Sequence, residues 1–269
     1  MEITTALLIA ALVPLLGAVA LGVAAFVVRP GLPAAAYGAL LLGGGLLLAA
    51  LVIRTLVSGR APWTNLHETA MTFSFAVVAA FGFLERRLPI RSIVPLVALL
   101  SAGLVWLALA QPDEVRPLVP ALQSPLLLTV HVGSAMLAYA MGAVAFAAAV
   151  AEIVQRRAGD RLAVLPSVRV ARAAAHRAVL LGFPVLTAAI VLGAVWANLA
   201  WRSYWSNDPK ELAAAATWLV YAGYLHVATR RDRWGEVAAW LLVAGFAGVL
   251  FTYLGAGLVF VGEHSYAGS

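Results

Sequence analysis

The sequence predicts an all-α integral membrane protein with about eight transmembrane helices, both termini extracytoplasmic, and a tryptophan-rich outer loop between helices 6 and 7. Composition is the first reason: of 269 residues 63% are hydrophobic and 11% charged. A soluble domain carries about a quarter of its residues as charges, and a disordered chain needs fewer aliphatic residues. The second is the spacing of apolar runs, because a hydrocarbon core about 30 Å thick needs about 20 residues of helix. Runs of that kind cover 5–28, 33–56, 69–84, 92–110, 125–154, 177–200, 212–229 and 236–261, the third short and the fifth long. The third is the distribution of basic residues over the intervening loops.

Lysine and arginine collect on the cytoplasmic side of short loops. Thirteen of the 18 follow spans 1, 3, 5 and 7, with Arg86, Arg87 and Arg91 after span 3 and a group from Arg156 to Arg177 after span 5. The other side holds Arg54, Arg60, Arg116, Arg202 and Lys210. Both termini and the Trp201–Glu211 segment are therefore expected outside, in the cell (plasma or inner) membrane. The net charge of +6 comes from scattered residues that form no basic block, so no nucleic-acid partner is expected, and membrane lipid is. The first span has no basic region before it and is longer than a signal-peptide core, so it reads as a retained helix. Residues 1–269 read as a single polytopic membrane domain.

Cysteine is absent, which excludes disulfides, thiolate metal sites and a CxxCH attachment site on this chain. Any metal or haem must then rest on histidine. In the outer segment Trp201 to Glu211, Asp208 followed by Pro209 and then Glu211 has the form of a capped helix start. Trp196, Trp201, Tyr204 and Trp205 are an interfacial aromatic belt or, since Tyr204 and Trp205 lie within the loop, a stacking platform for a flat apolar ring system.

The histidines separate by depth. His176 falls on the arginine-rich loop and is expected to be solvated, with no site assigned. His67 lies in Asn65-Leu66-His67-Glu68, where Asn65 and Glu68 fit a capping box and the imidazole is expected at the interface. His131 begins near the outer end of span 5 and His264 follows that of span 8; each is an interfacial polar residue, or the two share a layer and ligate one iron. His226 lies about 15 residues into span 7 and is read as well inside the hydrocarbon. Its helix face carries Ala215, Leu219, Ala222 and Gly223, which either clears space for the imidazole or packs on another helix. The spans offer no second buried histidine, so a ligand opposite His226 comes from another chain or does not exist. A transporter is disfavoured because relay carboxylates are missing from the spans.

These residues resemble the CcsA/ResC-type cytochrome c assembly proteins, whose outer motif runs approximately W-G-x-Y-W-x-W-D-P-K-E; here it occupies Trp201 to Glu211. The likeness extends from about residue 60 onward, through Asn65-Leu66-His67-Glu68, His131, Trp218 to His226, and His264-Ser265-Tyr266. The resemblance implies a membrane haem-binding subunit of cytochrome c biogenesis. Such a subunit moves or presents haem b (iron protoporphyrin IX), as substrate, for attachment to apocytochrome c bearing CxxCH. Its partner would be a CcsB/ResB-like membrane protein.

The implied ligands are His131 and His264 at the outer surface and His226 for haem in transit. Trp201, Tyr204, Trp205, Arg202 and Asp208 would form the surrounding site. The chain would be a subunit of a haem lyase (holocytochrome c synthase) complex that contributes binding, orientation and control of iron redox state, not a nucleophile. Two positions depart from the motif: Arg202 stands for its glycine, and Asn207 for the tryptophan before Asp-Pro-Lys-Glu. Arg202 could compensate by pairing with a haem propionate. The departures also suit a diverged paralogue that regulates or scaffolds haem metabolism without ligating haem.

Overall fold

The structure, a computed structural model, describes residues 2–26, 32–115 and 125–255. Eight long helices make up the described chain: α1 (Glu2–Ala24), α2 (Leu32–Ser58), α3 (Leu66–Glu85), α4 (Val94–Leu109), α5 (Pro125–Arg157), α6 (Val168–Trp201), α7 (Pro209–Ala228) and α8 (Arg231–Leu250). The protein is an all-α integral membrane protein. Seven of the eight are long and apolar enough to cross a bilayer; the exception by that criterion is α7, which opens on Pro-Lys-Glu. The alternation of helices puts the Arg86–Arg91, Arg156–Arg172 and Arg230 segments at one end of the bundle and the Trp201–Glu211 loop at the other.

Two lobes meet along the centre. Helices α1, α2, α3 and α4 pack together, α1 against α2 and α4 and α3 against α4 and α2; α5, α6, α7 and α8 pack together, α5 against α6 and α8 and α7 against α8 and α6; the α3–α5 contact is the main one that joins them. Small residues let α5 serve as this hub, since Ala138, Ala140, Ala143, Ala145, Ala147 and Ala148 are all buried. Gly182 of α6 lies where a Cβ would stand 2.7 Å from Met141 Cβ, so only glycine permits this helix spacing. Gly142 and Gly245 play the same part against the ring of Tyr221, with added Cβ atoms falling 2.6 and 2.9 Å from its nearest atoms.

Several helix ends and depths differ from the sequence expectation. Helix α6 begins at Val168, capped by Ser167 on the Val170 amide, so the arginine-rich stretch to Arg177 is helix and not loop. His176 is accordingly half-buried, with Nδ1 3.3 Å from the Tyr224 hydroxyl. His67 is fully buried instead of interfacial, its Nδ1 2.8 Å from the carbonyl of Ala108 on α4. The Asn65 cap does accept from the Glu68 amide, yet the Glu68 carboxylate turns elsewhere. It accepts from Arg54 Nε at 2.9 Å, from the Thr64 amide at 3.0 Å and from the Thr64 hydroxyl at 2.7 Å.

Arg54 and Glu68 are both buried, and Arg54 also donates to the Asp113 carbonyl at 2.6 Å. Charges removed from water persist only when paired and hydrogen-bonded, and this pair meets both conditions. A second buried carboxylate, Glu152 of α5, accepts from Arg156 and Arg172, each at 3.0 Å. The helices therefore do contain carboxylates, contrary to the reading of the spans. Both are neutralised by arginine, which makes them structural charges and not relay groups.

Candidate functional site: an aromatic cavity around His131

A cavity of about 290 Å³ opens at the tryptophan-rich end of the bundle. Five elements contribute to it: the first turns of α3 and α7, the ends of α5 and α6 nearest the tryptophan-rich loop, and the turn that follows α8. His131 projects from the second turn of α5, and α6 is shaped to receive it. A Cβ on Gly193 would lie 2.8 Å from His131 Cε1 and 3.3 Å from Nδ1, so the missing side chain is the space the imidazole fills.

The imidazole is held on two sides. Nδ1 lies 2.9 Å from the Ala189 carbonyl oxygen, which can only accept, so Nδ1 carries a proton, and in the neutral form of the ring the lone pair is on Nε2. That is the arrangement of metal-ligating histidines, in which one ring nitrogen donates to a carbonyl and fixes the tautomer of the other. The ring also stacks on Trp196, with centroids 5.9 Å apart and planes at 21°. Trp196 in turn meets Trp201 edge to face at 5.3 Å. Trp201 thus braces the wall from behind, while Tyr204, Trp205 and Lys210 line the cavity itself.

The loop is built by local chemistry. Asp208 caps α7 by accepting from the Lys210 amide at 2.9 Å, and the Glu211 carboxylate returns to the Asp208 amide at 3.2 Å, completing the expected capping box. Glu211 accepts also from the Ser206 amide at 2.8 Å, which ties the loop to the helix start. Asn207 has φ of 59°, a left-handed conformation that asparagine tolerates better than an aromatic residue. Its side-chain oxygen accepts from Trp205 Nε1 at 2.8 Å, so the residue that stands in place of a ring orients the neighbouring one.

Arg202 is the left-handed C-cap of α6, φ 62°, where glycine would sit without strain. Its side chain is exposed and is not part of the cavity lining, so the structure does not bring it to the site. Asp208 is buried as a cap and likewise stays behind the lining.

Sequence reasoning missed the third wall. Beyond Leu250 the helix widens into a π-helical turn over Phe251–Gly255, which carries Thr252, Tyr253 and Leu254 to the cavity. The Tyr253 hydroxyl lies 3.1 Å from Thr69 Oγ1, and its ring meets Phe73 edge-on at 5.4 Å, fastening this turn to α3. Such single π turns recur at functional sites, but the Phe-Thr-Tyr-Leu-Gly string carries no periodicity that announces one. His264 lies outside the described residues.

His226 is at the opposite end of the bundle from His131. It occupies the last turn of α7, its carbonyl accepting from the Thr229 hydroxyl at 2.7 Å, and its side chain is exposed. This corrects the expected depth: the 17 steps from Pro209 to His226 rise about 26 Å, most of a hydrocarbon core and not half of it. Leu219, on the same face, is 64% exposed and Gly223 has open space where a Cβ would stand. This face therefore points away from the bundle and does not form an internal slot.

An aromatic cavity lined by a hydrogen-bonded histidine lies at one end of this eight-helix membrane bundle, which makes the chain a multi-pass membrane protein with a cavity at its tryptophan-rich end. The comparisons specify the class. The family model described as cytochrome C assembly protein matches residues 63–264, and the chain belongs to that family. It is 36% identical to the "Cytochrome c biogenesis protein CcsA" of Chlamydomonas reinhardtii over 82% of this chain, spanning 65% of that relative's length. It is 34% identical to the protein of that name from Synechococcus sp. (strain CC9902), covering 82% of this chain and 83% of the other. The fold is similar to that of "Cytochrome c Heme Lyase CcmF", with a TM-score of 0.72 at 21% identity over 94% of this chain and 46% of that one.

Proposed function

We propose that this chain presents haem b, as substrate, at the His131 cavity for covalent attachment to apocytochrome c, on the extracytoplasmic face of the cell membrane. The observation that carries the proposal is the imidazole itself: Nδ1 is committed to Ala189, Nε2 holds the lone pair of the neutral ring, and Trp196 fixes the ring plane. Flat aromatic walls favour a porphyrin, which stacks well and is mostly apolar. His264 is the proposed second axial ligand. This fits a chain whose last described turn, Thr252–Leu254, already lines the cavity.

In this role the chain binds and orients; the thioether bonds form between haem vinyl groups and the cysteines of the apocytochrome. His131 holds the iron, Tyr204 and Trp205 cover the ring, and Lys210 is the lining cation suited to a propionate. Trp201, Asp208 and Asn207 hold the loop in shape. His226, exposed on the outer face of α7, suits a ligand set completed by a CcsB/ResB-like partner. The alternative of a regulator without ligated haem drew on Arg202 and Asn207, and both now have conformational roles that leave the cavity intact.

The test is the visible spectrum of the chain co-purified with its membrane partner. A bis-histidine haem signal is expected, lost in the His131→Ala/His264→Ala variant and regained with added imidazole. Persistence of the unaltered signal in that variant would remove the outer-site assignment.

A further inference from the structure

The opposite end of the bundle holds a second cavity, of about 830 Å³, in which the haem reading has no part. Arg86, Arg87 and Arg91 line it, and Glu85 is the single carboxylate among the described lining residues. The three guanidinium groups are differently engaged. Arg91 pairs with Glu85 and lies over the Tyr37 ring at 5.1 Å, and Arg87 lies over Phe83 at 4.7 Å. Arg86 is exposed, and its side chain makes no hydrogen bond or ion pair among the described residues.

The facing wall is firmly built. Gln155 is buried and spends its amide on the α5–α6 connection, donating to the Leu162 carbonyl at 2.9 Å and the Pro166 carbonyl at 3.3 Å and accepting from the Leu162 amide at 3.1 Å. This grip holds Val164, Leu165 and Pro166 against the cavity. The remaining side is apolar: Phe26, at the end of α1, lines the cavity while 47% exposed. A preformed recess thus combines an excess of positive charge with an apolar flank, at the rim of a membrane-spanning bundle.

We propose that this recess is a binding site for an anionic glycerophospholipid, whose phosphodiester is gripped by Arg86 and Arg87 and whose acyl chains lie along Phe26 and Pro33. The guanidinium fork matches phosphate oxygens bidentately, and basic pockets between membrane helices select anionic headgroups. A soluble phosphate would use the arginines alone and leave the apolar flank idle.

The full chain in detergent, stripped of native lipid, is incubated with phosphatidylglycerol or phosphatidylcholine of the same acyl composition, and retained lipid is read by native mass spectrometry. Retention of phosphatidylglycerol about tenfold above phosphatidylcholine is expected. Arg86→Gln/Arg87→Gln should bring it down to the phosphatidylcholine level, whereas Arg177→Gln, an exposed arginine at the same end but outside the recess, should leave it unchanged. Should the double variant not fold, Arg86→Gln alone breaks none of the described contacts and must lower retention in the same direction. Equal retention of the two lipids, undiminished retention in the Arg86 variants, or full displacement by glycerol phosphate would each overturn the proposal; the last would identify a free-phosphate site.

Discussion

Replacing Gly193 by alanine tests whether the His131 imidazole is held by the shape of α6. The new Cβ would stand 2.8 Å from Cε1 of His131, whereas carbon atoms rest about 3.5–4.0 Å apart, so the ring must retreat by about 0.7–1.2 Å. A retreat of that size takes the 2.9 Å contact to Ala189 beyond hydrogen-bonding range and removes the group that fixes the tautomer. Loss of such a supporting partner lowers metal affinity by about 10- to 100-fold, the fall expected for haem titrated into the purified complex by absorbance. Helix propensity pulls the other way, since glycine to alanine in a helix gains about 1 kcal/mol. Gly133→Ala, two residues from His131 with nothing near its added Cβ, is the matched control and should bind normally. Wild-type haem affinity and spectrum in Gly193→Ala would refute the assignment of His131 as a shape-held ligand.

Arg202→Gly should raise thermal stability by about 1 kcal/mol, because the left-handed C-cap no longer strains a side chain, and should leave haem binding unchanged; weaker binding would restore Arg202 to the site. Tyr221→Phe should also stabilise, by about 1 kcal/mol in denaturant unfolding, since the buried hydroxyl has no hydrogen-bond partner among the described residues. Arg54→Met should destabilise by about 3–5 kcal/mol by leaving Glu68 buried and uncompensated, and Arg54→Met/Glu68→Leu should recover most of that loss in the same assay. A loss in the double variant as large as in the single one would show that the pair is not what holds this corner together.

Periodicity and composition made the helices legible, and local motifs made the helix starts legible: Asp208-Pro209-x-Glu211 folds as its spacing implies, and so does the Asn65 cap. His131 was legible as an imidazole near a helix start because it follows the beginning of a long apolar run. What stayed hidden were partners across the bundle. Arg54 looked like a loop charge and Glu68 like the second half of a capping box, because no one-dimensional pattern records that α2 and α3 turn the two toward each other. His67 looked interfacial, since its Ala108 acceptor is 41 positions away. His226 was placed too deep because distance was counted from one helix end without subtracting it from the bilayer thickness. The π turn at Tyr253 departs from the 3.6-residue repeat on which the reading rested, so nothing in the pattern could aim that ring.

The Arg54–Glu68 pair bears on how the chain enters its membrane. Synthesis delivers α2 before α3, so the guanidinium reaches the translocon ahead of the carboxylate that neutralises it. A lone arginine in lipid is costly, and α2 has its counter-ion only once α3 has followed. Insertion of the two helices as a hairpin would let the pair form before either charge is left alone in lipid, and the short turn between Ser58 and Leu66 suits that order.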